Sequence, residues 1–363
     1  MPFHFDPSRL RRLLIVKMSS IGDVVHALPV AVALRRRYPQ AHISWAAEEW
    51  TAPLLHGHPA IDRIVVFPTM RWGCFGPRWV QSYWRAVQRL RDASYDVSID
   101  LQGLLKSAVV ALLSEAPLRI GVHEQREGAQ LVSWAMPRHC GRLHVAEDYL
   151  RCAEFLGAAP TPVSFALPVQ PEARASIDQK LAEIDVPEEP PLIVINPSAS
   201  VAWRTWPVEQ WARVANALST AGTIILVGGS AQKAVHADVA RRAGRAVYDL
   251  TGRTTLPELV ALLDRCAIHI APDTGSAHIA AALGRPVVGL YGPTTTWRKA
   301  PYRYEDLVVR GDGQCGLGCP QWCWRRRPCL PSTADALIAQ AERVLARPVG
   351  ARSDRAGGLQ QGR

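Results

Sequence analysis

Apolar positions along the chain gather into short runs, and the stretches between them repeat their apolar residues at helical spacing over roughly 10 to 16 residues. That alternation predicts β–α–β units, in which strands buried on both faces pair in parallel beneath covering helices. Expected strands are RLLIV (12–16), HISWAA (42–47), RIVVF (63–67), DVSID (96–100) and RIGV (119–122). A second series follows: LIVIN (192–196), TIILVG (223–228), AVYDL (246–250), AIHIA (267–271) and PVVGLYG (286–292). Between the two series, residues 168–191 are rich in Pro and Glu and carry one expected helix over about 172–184. The pattern therefore divides the chain into a domain over 1–165, a linker over 166–190 and a second domain over 191–331. A terminal helix over 332–346, with Ser332 and Asp335 read as its cap, precedes a tail over 347–363 that lacks any apolar period.

Size agrees with this division, since 363 residues suffice for two domains that each bury a core. The apolar run near the start, Leu13 to Val16, is too short for a signal-peptide core, and nothing approaches the length of a membrane span. The expected location is the cytoplasm. A formal charge of +10 is compatible with nucleic acid, an anionic membrane surface or an acidic substrate. No helix-turn-helix, zinc-finger or RNP signature accompanies the basic runs, so nucleic acid is not an expected partner. Neither series carries G-x-G-x-x-G after its first strand, which disfavours a nicotinamide dehydrogenase.

Candidate chemistry concentrates where strands end, because ligands of open α/β sheets bind at the carboxyl ends of the strands. The first strand runs into KMSSIGDVVHALP, a Ser-Ser-x-Gly-Asp turn opening a helix. Asp23 there has two readings. It is either a carboxylate stabilising the first turn of its helix, or a base able to take a proton from a hydroxyl. His26, one turn on, reads as a packing residue. In the second series NPSASVAWRTWP (196–207) places Arg204 before Trp206-Pro207, where a cation is able to face a diphosphate. APDTGSAHIAAALGRPVVGLYGPT (271–294) is the richest stretch: Asp273, Thr274, Gly275, Ser276 and His278 join a strand to a small-residue helix, and Gly292 and Thr294 form a second loop after the next strand. Two such loops on adjacent strands fit a nucleotide-diphosphate site.

These segments, in this order, resemble glycosyltransferase family 9, the heptosyltransferases of lipopolysaccharide inner-core synthesis. VKMSSIGDVVHALP, SWAAEEW, YDVSIDLQGLLKSA (95–108), RIGV, the RTWP loop and DTGSAHIAAALGRPVVGLYGPT carry the resemblance, over roughly residues 12–346. The WAAEEW segment, the Arg71-Trp72 pair and IDLQGLLKSA look most like the heptosyltransferase I branch. The resemblance implies a GT-B fold, two Rossmann-like domains facing across a cleft, acceptor-binding first and nucleotide-sugar-binding second, with the terminal helix returning to the first. It implies an inverting transfer of heptose from ADP-L-glycero-D-manno-heptose to the Kdo/inner-core acceptor, on a lipid-linked sugar at the inner membrane surface. The alternative within the family is another acceptor, as in a heptosyltransferase II-like enzyme or a protein O-heptosyltransferase.

Carried over by position, Asp23 matches the general base, while Arg204, Asp273, Thr274, Gly275, Ser276, His278, Gly292 and Thr294 fall on the donor side. Arg204 stands where many members have Lys. Ser20, Gly22, Gly103, Lys106 and Ser107 fall on the acceptor side. No metal or other cofactor is implied for catalysis. CGLGCPQWCWRRRPC departs from many members by setting Cys315, Cys319, Cys323 and Cys329 close together. Four thiolates in a reduced cytoplasm suit a structural zinc or iron, but the spacing is not that of a zinc ribbon, and free thiols stand beside that reading. Cys74, Cys140, Cys152 and Cys266 are scattered and read as small core residues.

Overall fold

The computed structural model describes residues 10–69, 76–187, 189–199, 205–244, 247–292, 295–311 and 330–347. The chain forms two compact units, Met1–Pro168 and Val169–Arg363.

Unit 1 contains β1 (Arg12–Val16), α1 (Ile21–Arg37), β2 (His42–Glu48), β3 (Arg63–Phe67), α2 (Pro77–Arg91), β4 (Val97–Asp100), α3 (Leu105–Leu113), β5 (Leu118–Gly121), β6 (Trp134–Ala135) and α4 (Val145–Phe155). The strands make one parallel sheet in the order β3-β2-β1-β4-β5-β6. Leu13 to Val16 are fully buried because helices cover both faces of β1, as an apolar run without alternation requires. From β1 the chain adds strands on one side, then crosses to add β4, β5 and β6 on the other. The reversal leaves a topological switch point at the carboxyl ends of β1 and β4, where Val16 lies opposite Asp100. All five strands expected here form. The extra β6 has two residues and too little pattern to read from sequence.

Unit 2 opens with α5 (Pro171–Glu183), followed by β7 (Leu192–Ile195), α6 (Val208–Leu218), β8 (Thr223–Leu226), α7 (Lys233–Ala243), β9 (Val247–Asp249), α8 (Leu256–Arg265), β10 (Ile268–Pro272), α9 (Gly275–Ala282), β11 (Val287–Leu290), α10 (Thr296–Lys299), β12 (Val308–Val309) and α11 (Asp335–Leu345). Its parallel sheet has the order β12-β11-β10-β7-β8-β9. This is the same topology as in unit 1. Its switch point falls at the ends of β7 and β10, where Ile195 lies opposite Ile270. The other addition to the expected strands is β12, again of two residues.

The structure adds detail at three boundaries. The helix expected in the linker, α5, packs on α8: Lys180 Nζ reaches both carboxylate oxygens of Glu258 at 2.8 Å, and Ser176 Oγ donates to Oε1 at 2.5 Å. It belongs to unit 2 because a buried carboxylate needs those donors. The terminal helix, expected to return to the first domain, also belongs to unit 2. There α11 packs on α6 and the β10–β12 side of the sheet through Leu337, Ala341 and Val344, which are buried at helical spacing. Its N-cap is Ala334 rather than Ser332, and Asp335 pairs instead with Arg213 at 2.9 Å. Cys152 and Cys266 are core residues as expected, but Cys140 is exposed.

Candidate functional site

In unit 1 the residues that carry chemistry meet at the switch point. β1 ends at Val16, and Lys17 to Ser20 lead from it into α1, with the Ser19–Ser20 peptide cis. Asp23 occupies the first turn of that helix. Its Oδ2 accepts from the Ser20 hydroxyl at 2.9 Å and from the Ser20 backbone N–H at 3.3 Å. Capping geometry is therefore present. The carboxylate also lies at the helix end where backbone N–H groups favour its ionised form, so the two readings of Asp23 share one structure. Gly22 is buried beside it.

Beside the Ser19–Ser20 turn stand groups at or just after the ends of β1, β2 and β4. Lys106, at the start of α3, donates to Ser19 Oγ at 2.8 Å and to Glu48 Oε1 at 2.7 Å. Glu48, the last residue of β2, is 3% exposed, and its other oxygen accepts from the Trp50 indole at 2.6 Å. Lys17 is buried, with its ammonium donating to the Leu101 carbonyl and the Tyr149 hydroxyl, each at 2.8 Å. Burial lowers its pKa, while the nearby charges of Asp23 and Asp100 pull in the other direction. Lys17 is thus a buried amine in the field of two acidic residues.

Of the acceptor-side residues read from the sequence, Ser20 and Lys106 reach this cluster with their side chains. Gly103 and Ser107 build the turn behind it. Asp100 accepts from the backbone N–H groups of Gln102 and Gly103 at 2.9 and 3.0 Å and from Ser107 Oγ at 2.9 Å. Burial raises the Asp100 pKa and those three donors oppose the rise. Gly103 has φ +66°, and a Cβ there would stand 3.0 Å from the Glu124 carbonyl, so only glycine fits the turn. His26 is buried on α1 with its ring edge-on to His144, 5.1 Å between centroids, as a packing residue would be.

In unit 2 the second cluster occupies the equivalent switch point. Thr274 caps α9 in extended conformation, and the helix starts at Gly275. Ser276 Oγ is the centre of a relay: it lies 3.0 Å from His269 Nε2, 3.1 Å from Asn196 Nδ2 and 2.8 Å from Thr274 Oγ1. The other nitrogen of His269 faces the Val194 carbonyl at 2.9 Å, so Nδ1 carries the proton and Nε2 accepts from Ser276. Burial pulls the His269 pKa down to about 4, which keeps the ring neutral. Asp273 and His278 face each other at 3.5 Å, both nearly buried.

A second relay fixes the loop after β7. Ser198 Oγ lies 2.7 Å from His236 Nε2, and His236 Nδ1 lies 2.7 Å from Thr251 Oγ1. Asn196 Oδ1 accepts from the Ser198 N–H at 3.1 Å, which joins the two relays in one loop. Gly292 follows β11 beside buried Tyr291. Arg204, Thr294, Arg71, Trp72, Cys74 and the four cysteines Cys315, Cys319, Cys323 and Cys329 lie outside the described residues. Among the described residues no group of three or more His, Cys, Asp or Glu side chains is arranged to hold a metal ion.

Sequence reasoning missed Lys17, Glu48, Asn196, Ser198, His236 and His269. Lys17, Glu48 and Asn196 each sit at or just after the end of an expected strand, which is the signal that marks them. His269 lies inside its strand and His236 on a helix, so only the fold brings them to the loops.

Two parallel sheets of identical strand order, each with a polar cluster at its switch point, and one of those clusters opening a small-residue helix, define a doubly wound α/β architecture that offers ligand sites at its strand ends. Residues 83–319, well over half of the chain, match the glycosyltransferase family 9 (heptosyltransferase) profile, and the chain belongs to that family. It is similar to lipopolysaccharide heptosyltransferase 1 of Pseudomonas aeruginosa, 29% identical over 347 residues that cover 92% of this chain and 90% of that protein. It is likewise similar to the lipopolysaccharide core heptosyltransferase OpsX of Haemophilus influenzae, 28% identical over 304 residues, 82% of this chain and 84% of that protein. Among solved structures, the glycosyl transferase family 9 protein from Veillonella parvula has a TM-score of 0.80 at 21% identity, covering 94% of this chain and 98% of that one. The fold is the GT-B fold of these transferases.

Proposed function

We propose that this chain transfers heptose from ADP-L-glycero-D-manno-heptose to the Kdo region of the lipopolysaccharide inner core, as a heptosyltransferase I. The observation that carries the reading is the pair of switch-point clusters: a hydroxyl-rich helix start in unit 2 suited to a diphosphate, and a carboxylate at a helix start in unit 1 suited to a hydroxyl. Two of the relatives named above are lipopolysaccharide heptosyltransferases, which supports the sugar and the acceptor class.

In this reading Thr274, Gly275 and Ser276, with Arg204, Gly292 and Thr294, hold the diphosphate, and Asp273 and His278 face the sugar. The acceptor hydroxyl gives its proton to Asp23 as its oxygen bonds to the anomeric carbon. The bond from that carbon to the phosphate oxygen breaks, and ADP leaves with the electron pair, its new charge met by the donor-side cation and N–H groups. One displacement inverts the anomeric centre. The chemistry asks for no metal, because the leaving group is neutralised by protein groups. The enzyme works on the cytoplasmic side as a peripheral protein, and no described helix is long and apolar enough to cross a membrane.

Mass spectrometry of the product made from ADP-heptose and Kdo-lipid A tests the assignment. A single added heptose is expected, with turnover unchanged by EDTA. Transfer only to an acceptor that already carries heptose, or only to a protein, would replace the acceptor assignment; no transfer to any of the three would reject the function.

A further inference from the structure

Large apolar side chains exposed on unit 1 are concentrated on three neighbouring elements. Val80 and Trp84, one turn apart on α2, are 56% and 53% exposed; Leu105 and Leu112, two turns apart on α3, are 55% and 50%; Leu131, in the short turn Ala129–Leu131, is 87%. α3 contacts both α2 and that turn, so the five belong to one region of the surface. They are not a core exposed by poor packing. α2 buries Ala86, Val87 and Leu90 within the core beneath β1 to β3, and the exposed pair lies nearer the start of the helix.

Charge says what this region faces. α2 carries Arg78, Arg85 and Arg89, besides Arg91 that pairs with Glu115 at 3.1 Å, and no acidic residue between Pro77 and Arg91. A helix that shows tryptophan and valine to solvent among arginines has the composition of one lying in a headgroup layer, with the indole at the interface and the guanidinium groups on anionic phosphates. A second copy of the chain fits less well, since a two-fold contact would set the arginines of α2 against themselves.

The same region borders the acceptor cluster. Leu105 immediately precedes Lys106, whose ammonium reaches Ser19 and Glu48. A bilayer resting on α2 and α3 would therefore lie next to the side chains grouped beside the Ser19–Ser20 turn. We infer that the α2–α3–Leu131 face is the surface on which this chain docks to an anionic lipid bilayer, an inference that rests on the reading that its acceptor is lipid-linked.

Cosedimentation with vesicles of phosphatidylcholine, alone and mixed with phosphatidylglycerol, tests it on the full chain. Wild type should bind the mixed vesicles, bind neutral ones weakly, and lose binding as salt is raised. Trp84→Ser with Leu131→Ser, and separately Arg85→Glu with Arg89→Glu, should each weaken binding about tenfold or more. Both variants should keep the wild-type melting temperature and its turnover on a delipidated, soluble acceptor. Unchanged vesicle binding in both variants overturns the inference. So does a wild-type dimer that the Trp84/Leu131 variant splits while still binding vesicles, which gives the face to a second copy. Failure of the functional reading looks different: the soluble acceptor would go unmodified by wild type itself, whatever the vesicles show.

Discussion

Asp23 is the residue at which structure and chemistry coincide most closely, because one carboxylate accepts from Ser20 at the start of α1 and, in the proposed function, also takes the acceptor's proton. The two roles separate on a near-isosteric change. Asn supports a helix start nearly as well as Asp but takes no proton, and loss of a general base typically costs about 10² to 10⁴ in rate. Asp23→Asn is expected to fold normally, to bind ADP-heptose as tightly as wild type in calorimetry, and to lose at least about a hundredfold in turnover. Retention of more than about a tenth of wild-type turnover would confine Asp23 to its helix-stabilising role. The Ser-Ser-x-Gly-Asp turn made this residue legible in the sequence, since a short polar turn between an apolar run and a helix can be read locally. Lys17 was not legible as part of the same site. It follows the strand like any flanking lysine, and only the crossing of the chain that sets β4 beside β1 brings the charge of Asp100 to it.

At the scale of elements, unit 2 depends on buried groups whose charge state the fold has fixed. Glu258 joins α5 to α8: burial pushes its pKa up, but Lys180, Ser176 and Thr255 outweigh that and hold it at about 2, below the ordinary 4.5. Burial pulls His236 and His269 each down to about 4 from 6.5. All three are depressed in the folded state, so the stability they contribute is complete above the unfolded values and is lost as protons bind on the way down. The histidines lose theirs as pH falls from 6.5 toward 4, and Glu258 from 4.5 toward 2. Calorimetry over a pH series should accordingly show the melting temperature declining in two stages. Lys180→Met, which strands a buried carboxylate, should cost about 2 kcal/mol at neutral pH and flatten the lower stage, leaving the upper one in place. A single decline confined to pH below 4 would contradict the neutral histidines. Strand positions were readable because buried parallel strands are unbroken apolar runs. The relays were not, because the partners of His236 and His269 come from other strands and loops that only the sheet order brings together.

For the molecule as a whole, the boundary between units falls at Pro168 and Val169, at the start of the Pro- and Glu-rich stretch that composition marks as a connection. Composition registers the scarcity of apolar residues in α5 but not the one face it buries through Ala173, Ile177 and Leu181. A fragment starting at Val169 should therefore unfold cooperatively and hold its stability better than one starting at Pro190, which leaves Glu258 without Lys180. Urea titration of the two fragments compares them directly, and equal midpoints would show that α5 is a connector after all. The resemblance in sequence was enough to anticipate the two-sheet architecture, because motif order along the chain follows strand order. For the terminal helix, Leu337, Ala341 and Val344 announce a buried face without saying which surface receives it.

The mirrored strand order also bears on how the protein acquires its activity during folding. In each sheet the switch-point seam joins strands far apart in the chain, Leu13 with Val97 and Ile193 with Ile268, whereas Leu13 with Ile43 and Ile193 with Ile224 are near neighbours. Closing the longer loops costs more chain entropy and rewards it later. Both halves of the chain should thus zip the β1–β2–β3 and β7–β8–β9 sides first and complete the β1–β4 and β7–β10 seams last. Pulsed hydrogen exchange during refolding is expected to protect the amides of β2 and β8 before those of β4 and β10. The seams that close last are those bearing Asp23 and Ser276, so a nascent chain has little capacity to bind donor or acceptor until each sheet is whole.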